Sequence, residues 1–275
     1  DVTGKVSAAD VNTISKATSG EVTAAEVTAG TAAALNKALA DVSKNNKDAL
    51  TLTVTGTTAA ASDLNDLNSK TSVEVVATAV KTITGSLVDL NTVYAAAVAN
   101  TIELNAKTNA TVNGILTVAD AVALRTLLDN VVDGDAKVTA TVAPSTAIAL
   151  VAALNDKGAS TDALTLHVVD NKDAGTGVVT ATAAADLVNL DGQTSVKVKV
   201  DATQISGDYD DLEAVYVSGK AGFSNLGNET VQITGGANSA ARVDSILKAT
   251  TGVVTAEVTA ASASDLVANL KNAKN

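Results

Sequence analysis

The sequence has no Cys, Met or Trp, one Pro and one His in 275 residues, and aromatic residues make up only 1% of it. Without Cys, disulfides and cysteine-based metal sites are excluded, and the composition fits an exported protein that avoids disulfide chemistry. With one His, neither a Ser/His/Asp triad nor a multi-histidine metal site is credible. Apolar residues still make up 46%, so the core must be built from Val, Leu, Ile and Ala in thin, repeated layers.

Long hydrophobic runs and a positive charge are also missing. No run approaches the roughly 20 apolar residues needed to cross a bilayer, so we expect no membrane insertion. The formal net charge is −11, which argues against a nucleic-acid partner, because phosphates need Lys and Arg. It also predicts mutual repulsion between chains that a divalent cation would relieve. The chain starts at Asp1 rather than Met, which predicts either a removed signal segment or a window onto a longer protein.

What the sequence does contain is a repeat of about 116 residues. The segment 8–20 returns as 240–252, an offset of 232 residues or two periods. The segment 26–35 recurs as 141–150 and again as 257–266, at offsets of 115 and 116 residues. Such periods are typical of arrays, solenoids and propellers. We therefore predict one continuous array over 1–275. Its expected super-repeats are approximately 1–20 (partial), 21–134, 135–252 and 253–275 (partial).

A smaller repeat, which we call a coil, occurs about four times in each large repeat and averages roughly 29 residues. It combines a strand-like Val/Thr stretch, a turn and a short helix with Asp-Leu near its start. Ser62 or Asp63 could cap one such helix, and Ser264-Asp265 another. The clearest helix starts are Asp63-Leu64, Asp89-Leu90, Asp186-Leu187, Asp211-Leu212 and Asp265-Leu266.

This order of elements predicts a β/α repeat solenoid with parallel strands and short helices, similar in kind to leucine-rich repeats or β-helices. No single unit buries enough apolar surface alone, so stability must come from contacts between neighbouring units. Tandem β-sandwich domains are the alternative fold. That alternative requires the Asp-Leu segments to be turns rather than helices.

Three segments carry a resemblance to a known group of proteins: 89–95 (DLNTVYA), 211–216 (DLEAVY) and 225–231 (NLGNETV). They resemble repeats of giant cell-surface proteins of marine bacteria, notably cyanobacteria. Those proteins carry many Asp-Leu-Asn-Thr-x-Tyr and Leu-Gly-Asn-Glu-x-Val motifs between Val/Thr strands. The resemblance implies a secreted or cell-surface structural role and supplies no catalytic residues.

Clustered carboxylates offer weak candidates for a Ca²⁺ site, because Ca²⁺ prefers oxygen ligands. None has the spacing of a calcium loop, and capping, turns and solvation explain the same residues. The only cofactor left open is therefore Ca²⁺, and we expect no catalytic site. The candidates are Asp208, Asp210 and Asp211, then Asp133 and Asp135, then Asp170 and Asp173.

A residue needed for packing should recur in every repeat, and the remaining candidate residues differ in whether they recur. Asn109 and Asn228 begin glycosylation-type sequons at similar places in two repeats and could mark an exposed side. Tyr94 and Tyr216 recur at the ends of corresponding units, either to fill the same gap between coils or to contact another chain. His167 has Thr53 as its counterpart, which predicts an outward-facing strand residue rather than a base or ligand.

These observations predict an extracellular structural protein that forms or belongs to a surface fibre, sheath or layer, with self-association as its main partnership. The alternative is an adhesin or carbohydrate-binding stalk, stiffened by Ca²⁺ and facing a surface polysaccharide. Regular Thr/Ser/Asn ladders without a pocket favour the first reading. A concave acidic patch favours the second. An enzyme would need a pocket of titratable groups absent from the sister repeats.

Overall fold

The computed structural model describes residues 1–43, 48–131, 136–154 and 161–273. Two compact units divide the chain, Asp1–Ala140 (unit 1) and Thr141–Asn275 (unit 2). Both units mix short helices with short, mostly parallel strands. The continuous array and its super-repeat boundaries stay a prediction. No helix in the described ranges is long and apolar enough to cross a membrane.

Unit 1 alternates strands and helices along its length. Its helices are α1 (Ala8–Ala17), α2 (Ala32–Ala38), α3 (Ala61–Lys70), α4 (Leu87–Val98) and α5 (Val118–Val131). Its strands are β1 (Val2–Val6), β2 (Thr23–Val27), β3 (Ala49–Leu50), β4 (Thr58–Ala60), β5 (Val75–Ala77), β6 (Thr82–Gly85), β7 (Ile102–Leu104) and β8 (Asn109–Leu116). The strand β9 (Val138–Val142) spans the division between the units.

Unit 2 follows the same alternation with shorter strands. Its strands are β10 (Ala163–Thr165), β11 (His167–Val168), β12 (Asn171–Lys172), β13 (Val179–Thr180), β14 (Thr182–Ala183), β15 (Val198–Val200), β16 (Gln204–Gly207), β17 (Phe223–Ser224), β18 (Thr230–Ile233) and β19 (Val254–Thr255). Its helices are α6 (Ala147–Leu154), α7 (Ala184–Gly192), α8 (Tyr209–Glu213), α9 (Ala240–Ala249) and α10 (Ala263–Asn269). A π-helical turn, Ala214–Ser218, and a 3₁₀ turn, Lys220–Gly222, continue α8.

Strands pair in parallel with the corresponding strand one coil later. In unit 1, β4, β6 and β8 are neighbours in that order, and β5 pairs with β7. In unit 2 the order is β14, β16, β18 and β19, and β11, β15 and β17 form a second sheet. Successive helices contact one another within each unit. The antiparallel pair β12–β13 departs from this plan.

The predicted α/β class with parallel strands is therefore confirmed, whereas the tandem β-sandwich alternative is wrong. All five Asp-Leu segments lie in the first turns of helices, with Asp63, Asp89, Asp186, Asp211 and Asp265 as their acidic residues. Acidic side chains are stabilising there because the N-terminal end of a helix carries a partial positive charge.

The predicted caps are less accurate than the predicted helices. In α3 the N-cap is Ala60, which has no side chain able to accept a hydrogen bond, and Ser62 and Asp63 lie inside the helix. In α10 the cap is Ser262, whose hydroxyl accepts from the Asp265 N–H at 3.1 Å. A cap needs extended backbone before the first helical residue, and the end of the preceding strand sets that position.

The core consists of small aliphatic layers, as the composition predicts. Leu64 and Leu67 of α3 are fully buried, as are Leu187 and Leu190 of α7. The strands are shorter than the Val alternation indicates, because Val73 lies outside β5 and is 37% exposed. Each unit is thus held together by helix leucines packed over short Val-rich strands.

Two glycines make the same close contact with the preceding coil. A Cβ at Gly85 would lie 2.7 Å from the Ala61 Cβ, and one at Gly207 would lie 2.8 Å from the Ala184 Cβ. Both glycines end a strand, and both alanines begin the helix of the preceding coil. The same glycine–alanine contact therefore fixes strand-to-helix packing in both units.

Candidate functional site

The carboxylates of the densest acidic cluster, at the start of α8, have different roles. Asp208 is the N-cap and accepts from the Asp211 N–H at 2.9 Å. Asp210 forms an ion pair with Arg242, whose guanidinium lies 3.9 Å above the centre of the Tyr209 ring. Partial burial, reinforced by the charges of Asp208 and Asp210, raises the pKa of Asp211. The cluster caps a helix and joins α8 to α9.

Asp170 and Asp173 hold turns. Asp170 accepts from the backbone N–H of Thr203 at 2.6 Å and from its hydroxyl at 3.0 Å. Asp173 accepts from the N–H groups of Gly175 and Thr176 at 3.0 and 2.7 Å. The hydrogen bonds from Thr176, chiefly that of its N–H, lower the pKa of Asp173. These oxygens thus already have donors within the chain.

The other two calcium candidates, Asp133 and Asp135, lie outside the described residues. Within the described ranges, no three His, Cys, Asp or Glu side chains are arranged so that they could hold a metal ion. Ca²⁺ binding stays a prediction for this chain.

A polar cluster that the sequence does not reveal lies on the sheet of β11, β15 and β17. His167 on β11 contacts the Asp201 carboxylate through Nε2. The Lys199 ammonium lies 2.8 Å from the same carboxylate, and the Asn225 amide donates to it at 2.5 Å. The Lys199 hydrogen bond is the main cause that lowers the pKa of Asp201, with smaller effects from His167 and Asn225. We call these four residues the Asp201 cluster.

The Asp201 cluster is specific to unit 2. His167 pairs with Lys199 in the register of the parallel sheet, and the matching bridge in unit 1 joins Thr53 to Val76. The prediction that His167 is a strand residue is correct, but it has a charged partner that sequence reasoning missed. The only available signal was the strand alternation at 198–201, which places Lys199 opposite the buried valines.

A shallow depression of about 170 Å³ adjoins the cluster, with Asp201, Asn225, Asn228 and Glu229 in its lining. Its polar groups offer acceptors and amide donors for a small polar ligand. The lining also contains Thr203, whose hydroxyl donates to Asp170 at 3.0 Å.

The two sequons are not structurally equivalent. In the sheet register Asn109 pairs with Thr82, whereas Thr230 pairs with Gln204, the counterpart of Thr82. Asn228 thus lies two residues earlier and is exposed, while Asn109 is half-buried inside a paired strand. The Asn109 side-chain oxygen also accepts from the Lys137 N–H at 2.8 Å. Of the two, Asn228 is the accessible acceptor.

The recurring tyrosines lie inside the units. Tyr94 is completely buried and its hydroxyl donates to the Thr108 carbonyl at 3.3 Å. Tyr216 is 1% exposed and its hydroxyl donates to Glu229 Oε2 at 2.9 Å. Burial raises the pKa of both phenols, and the Glu229 charge adds to the rise at Tyr216. The tyrosines fill gaps between coils, and the alternative contact with another chain is wrong.

Comparison of the chain with protein-family models, with curated proteins and with solved structures gave no match. The site must therefore be interpreted from its own chemistry.

Proposed function

We propose that this chain is an extracellular structural protein whose coils form a β/α repeat solenoid, and that it forms or belongs to a surface fibre, sheath or layer. The observation that carries the proposal is the parallel pairing of successive strands with their counterparts one coil later, which occurs in both units. Such stacking transmits load through backbone hydrogen bonds and interlocked aliphatic layers. It needs neither a cofactor nor a catalytic group.

Three further features support this function. The polar side chains that recur in both units serve as helix caps or coil contacts, for example Ser7 and Ser239 as caps. The net charge of −11 fits a soluble, non-nucleic-acid-binding surface component. The resemblance of 89–95 and 211–216 to repeats of giant bacterial surface proteins supports a cell-surface location.

A second function, an adhesin or carbohydrate-binding stalk, is favoured by one observation. Unit 2 carries charged and aromatic groups that unit 1 lacks, namely the Asp201 cluster and the Tyr209–Arg242 stack. Polar and aromatic groups that occur in only one copy are more typical of a binding surface than of a structural scaffold. A surface polysaccharide would be the partner in that case, with Ca²⁺ as the stiffening ion.

Electron microscopy of the native material, with and without a calcium chelator, separates the two functions. The structural proposal predicts continuous fibres or sheets that chelation leaves intact. Dispersed particles, or fibres that fall apart when Ca²⁺ is removed, would contradict it and favour the stalk.

A further inference from the structure

The sequon at 228–230 lies on the surface of unit 2 with both of its functional side chains outward. Asn228 is exposed, and so is Thr230, the first residue of β18. Glu229 between them is 2% exposed. The motif consists of an Asn amide and a Thr or Ser hydroxyl two residues later. Because side chains two residues apart in an extended chain lie on the same side, the amide and the hydroxyl face the solvent together.

The buried Glu229 fixes this arrangement. Its carboxylate accepts from the Tyr216 hydroxyl at 2.9 Å and from the Gly227 N–H, at 3.1 Å to Oε1 and 2.9 Å to Oε2. A buried carboxylate without such donors is strongly unfavourable, so Glu229 is held in the interior. Its two neighbours in the sequon therefore point away from the core.

The exposure of Asn228 does not result from a missing neighbouring coil. On one side, the Thr230 N–H donates to the Thr203 carbonyl of the preceding coil at 3.0 Å. On the other side, Gly252 of the following coil lies against the backbone carbonyl of Asn228, which is 2.8 Å from the position of an added Cβ. Coils therefore pack on both sides of the sequon, and the Asn228 side chain stays exposed between them.

The amide of Asn228 also has open space beside it. Within the described ranges of the chain, no hydrogen bond engages this side chain. Together with Asp201 and Asn225, Asn228 lines the depression of about 170 Å³ beside the Asp201 cluster. The amide nitrogen is thus free of a partner and lies next to a polar hollow.

The other sequon, 109–111, is in the opposite situation. Asn109 and Thr111 are half-buried inside β8, and both are paired with β6. Asn109 Oδ1 accepts from the Lys137 N–H at 2.8 Å, and the Asn109 N–H donates to the Lys81 carbonyl at 2.9 Å. This Asn would have to leave the sheet to reach an enzyme. The chain thus contains two sequons of the same type that differ in accessibility.

We propose that Asn228, and not Asn109, carries an N-linked glycan in the folded protein. This inference rests on the proposed function, because sequons of this kind are acceptors on surface loops of secreted proteins. It adds a modification site, and an oligosaccharide as the attached group, to a function that by itself assigns neither.

The reaction joins an activated sugar to the side-chain amide. The Nδ2 atom of Asn228 forms a bond to the anomeric carbon of a sugar carried on a lipid-linked pyrophosphate. The bond between that carbon and the pyrophosphate oxygen breaks, and the pyrophosphate leaves with the electron pair. One amide proton passes to a base of the transferase. Nothing is oxidised or reduced.

A glycan at Asn228 would have a defined place on unit 2. Its first sugar would lie over the depression, where Asp201 and Asn225 offer hydrogen-bond partners for hydroxyl groups. Thr230 and Gln232 are exposed on the same strand. The glycan would therefore mark the outer side of β18 as a side that faces solvent rather than another chain.

Peptide mapping by mass spectrometry tests the proposal on the full chain produced by its native host. A glycosidase that releases N-linked glycans converts the modified Asn to Asp, which identifies the site. We expect this conversion at Asn228, and an unmodified amide at Asn109.

Two variants with matched controls separate a glycan from other modifications of the same amide. Asn228→Gln removes the acceptor, and Thr230→Ala removes only the hydroxyl of the motif. Each should abolish the glycan completely, which lowers the mass of the intact protein. Asn109→Gln and Thr111→Ala should leave the glycan unchanged. Asn228 and Thr230 are exposed, so their variants should fold, which circular dichroism checks. If one control misfolds, the other control of the pair supplies the comparison.

An unmodified Asn228, or a glycan on Asn109, would overturn the inference. A modification of Asn228 that survives Thr230→Ala would also overturn it, because such a modification does not depend on the sequon.

The proposed function is judged separately, by electron microscopy of the native material. Fibres or sheets built from unmodified chains would overturn the glycan and leave the structural function standing. A chain glycosylated at Asn228 that forms only dispersed particles would support the glycan and contradict the structural function.

Discussion

The coil around Tyr94 in unit 1 and the coil around Tyr216 in unit 2 follow the same plan, but their buried hydroxyl groups have different hydrogen-bond acceptors. α4 is a regular helix of 12 residues, whereas α8 has five and continues as a π-helical turn. Tyr94 donates to a backbone carbonyl, whereas Tyr216 donates to the buried carboxylate of Glu229. The aliphatic scaffold is thus repeated, while each buried polar group is satisfied individually.

A second pair of sites shows the same principle with the partners exchanged. In unit 1, the Asp41 N–H donates to Asn12 Oδ1 at 2.7 Å. In unit 2, the Asn272 N–H donates to Asp244 Oδ1 at 2.7 Å. Amide and carboxylate have changed places, but the same backbone N–H finds a side-chain oxygen. The contact requires an acceptor on the helix, and either residue type supplies it.

The largest expected difference between the copies comes from Gly252→Ala and Gly20→Ala. A Cβ at Gly252 would collide with the backbone carbonyls of Glu229 and Asn228, whereas Gly20 has space. We expect Gly252→Ala to lower the free energy of unfolding by about 1–3 kcal/mol or more. Gly20→Ala should leave it nearly unchanged. Urea denaturation measures both, and equal effects would contradict the packing difference.

Gly85→Ala and Gly207→Ala test what the copies share. Each added methyl would press on the Cβ of Ala61 or Ala184, so both variants should be destabilised by a similar amount, about 1–3 kcal/mol. The control is Gly192→Ala at the end of α7, where an added Cβ meets nothing within 4 Å. That variant should gain stability, because alanine loses less backbone entropy in a helix. If thermal melting showed Gly192→Ala to be as strongly destabilised as the other two variants, the close-contact argument would be refuted.

The two tyrosine variants should differ in unfolding free energy by a smaller amount. Tyr216→Phe removes a hydrogen bond to a buried carboxylate, which costs about 1.5–3 kcal/mol, whereas Tyr94→Phe removes a neutral hydrogen bond worth about 0.5–1.5 kcal/mol. Unfolding free energies of the two variants at pH 7 provide the comparison. If Tyr94→Phe proved the more damaging, the Glu229 contact would not be the stabilising feature of its coil.

The smallest effect is expected at Asp201. Its pKa is lowered in the folded protein, so its stabilisation is complete above the unfolded carboxyl pKa of about 3.9 and is lost as pH falls through the lower folded value. Asp201→Asn should therefore cost about 0.2–1 kcal/mol at pH 7, and progressively less as the pH falls through the folded pKa of Asp201. Glu103→Gln, on the exposed side of β7, is the control. A difference that persisted unchanged into acid would contradict the ion-pair account.

The sequence was sufficient to predict the helices and the parallel α/β class, because the Asp-Leu starts and Val alternation are local patterns. It did not reveal the Asp201 cluster. His167 and Asp201 are joined by strand register across an interval that includes the hairpin β12–β13, and the spacing of the helices does not determine that register. The caps of α3 and α10 were also misplaced, since the preceding strand rather than the nearest Ser or Asp sets the first helical residue.

The non-equivalence of Asn109 and Asn228 has the same origin. Their spacing resembles the large repeat, but the sheet register places them two residues apart. Small shifts of this kind leave a repeat recognisable in sequence and still decide whether a side chain is exposed.

The most direct test of the account is cryo-electron microscopy of assemblies grown from the full chain, at a resolution that separates neighbouring strands. The account predicts fibres or sheets in which the strands of each chain stack in parallel at the spacing of about 4.8 Å found within parallel sheets. Particles that remain single, or strands that pair mainly antiparallel, would contradict it.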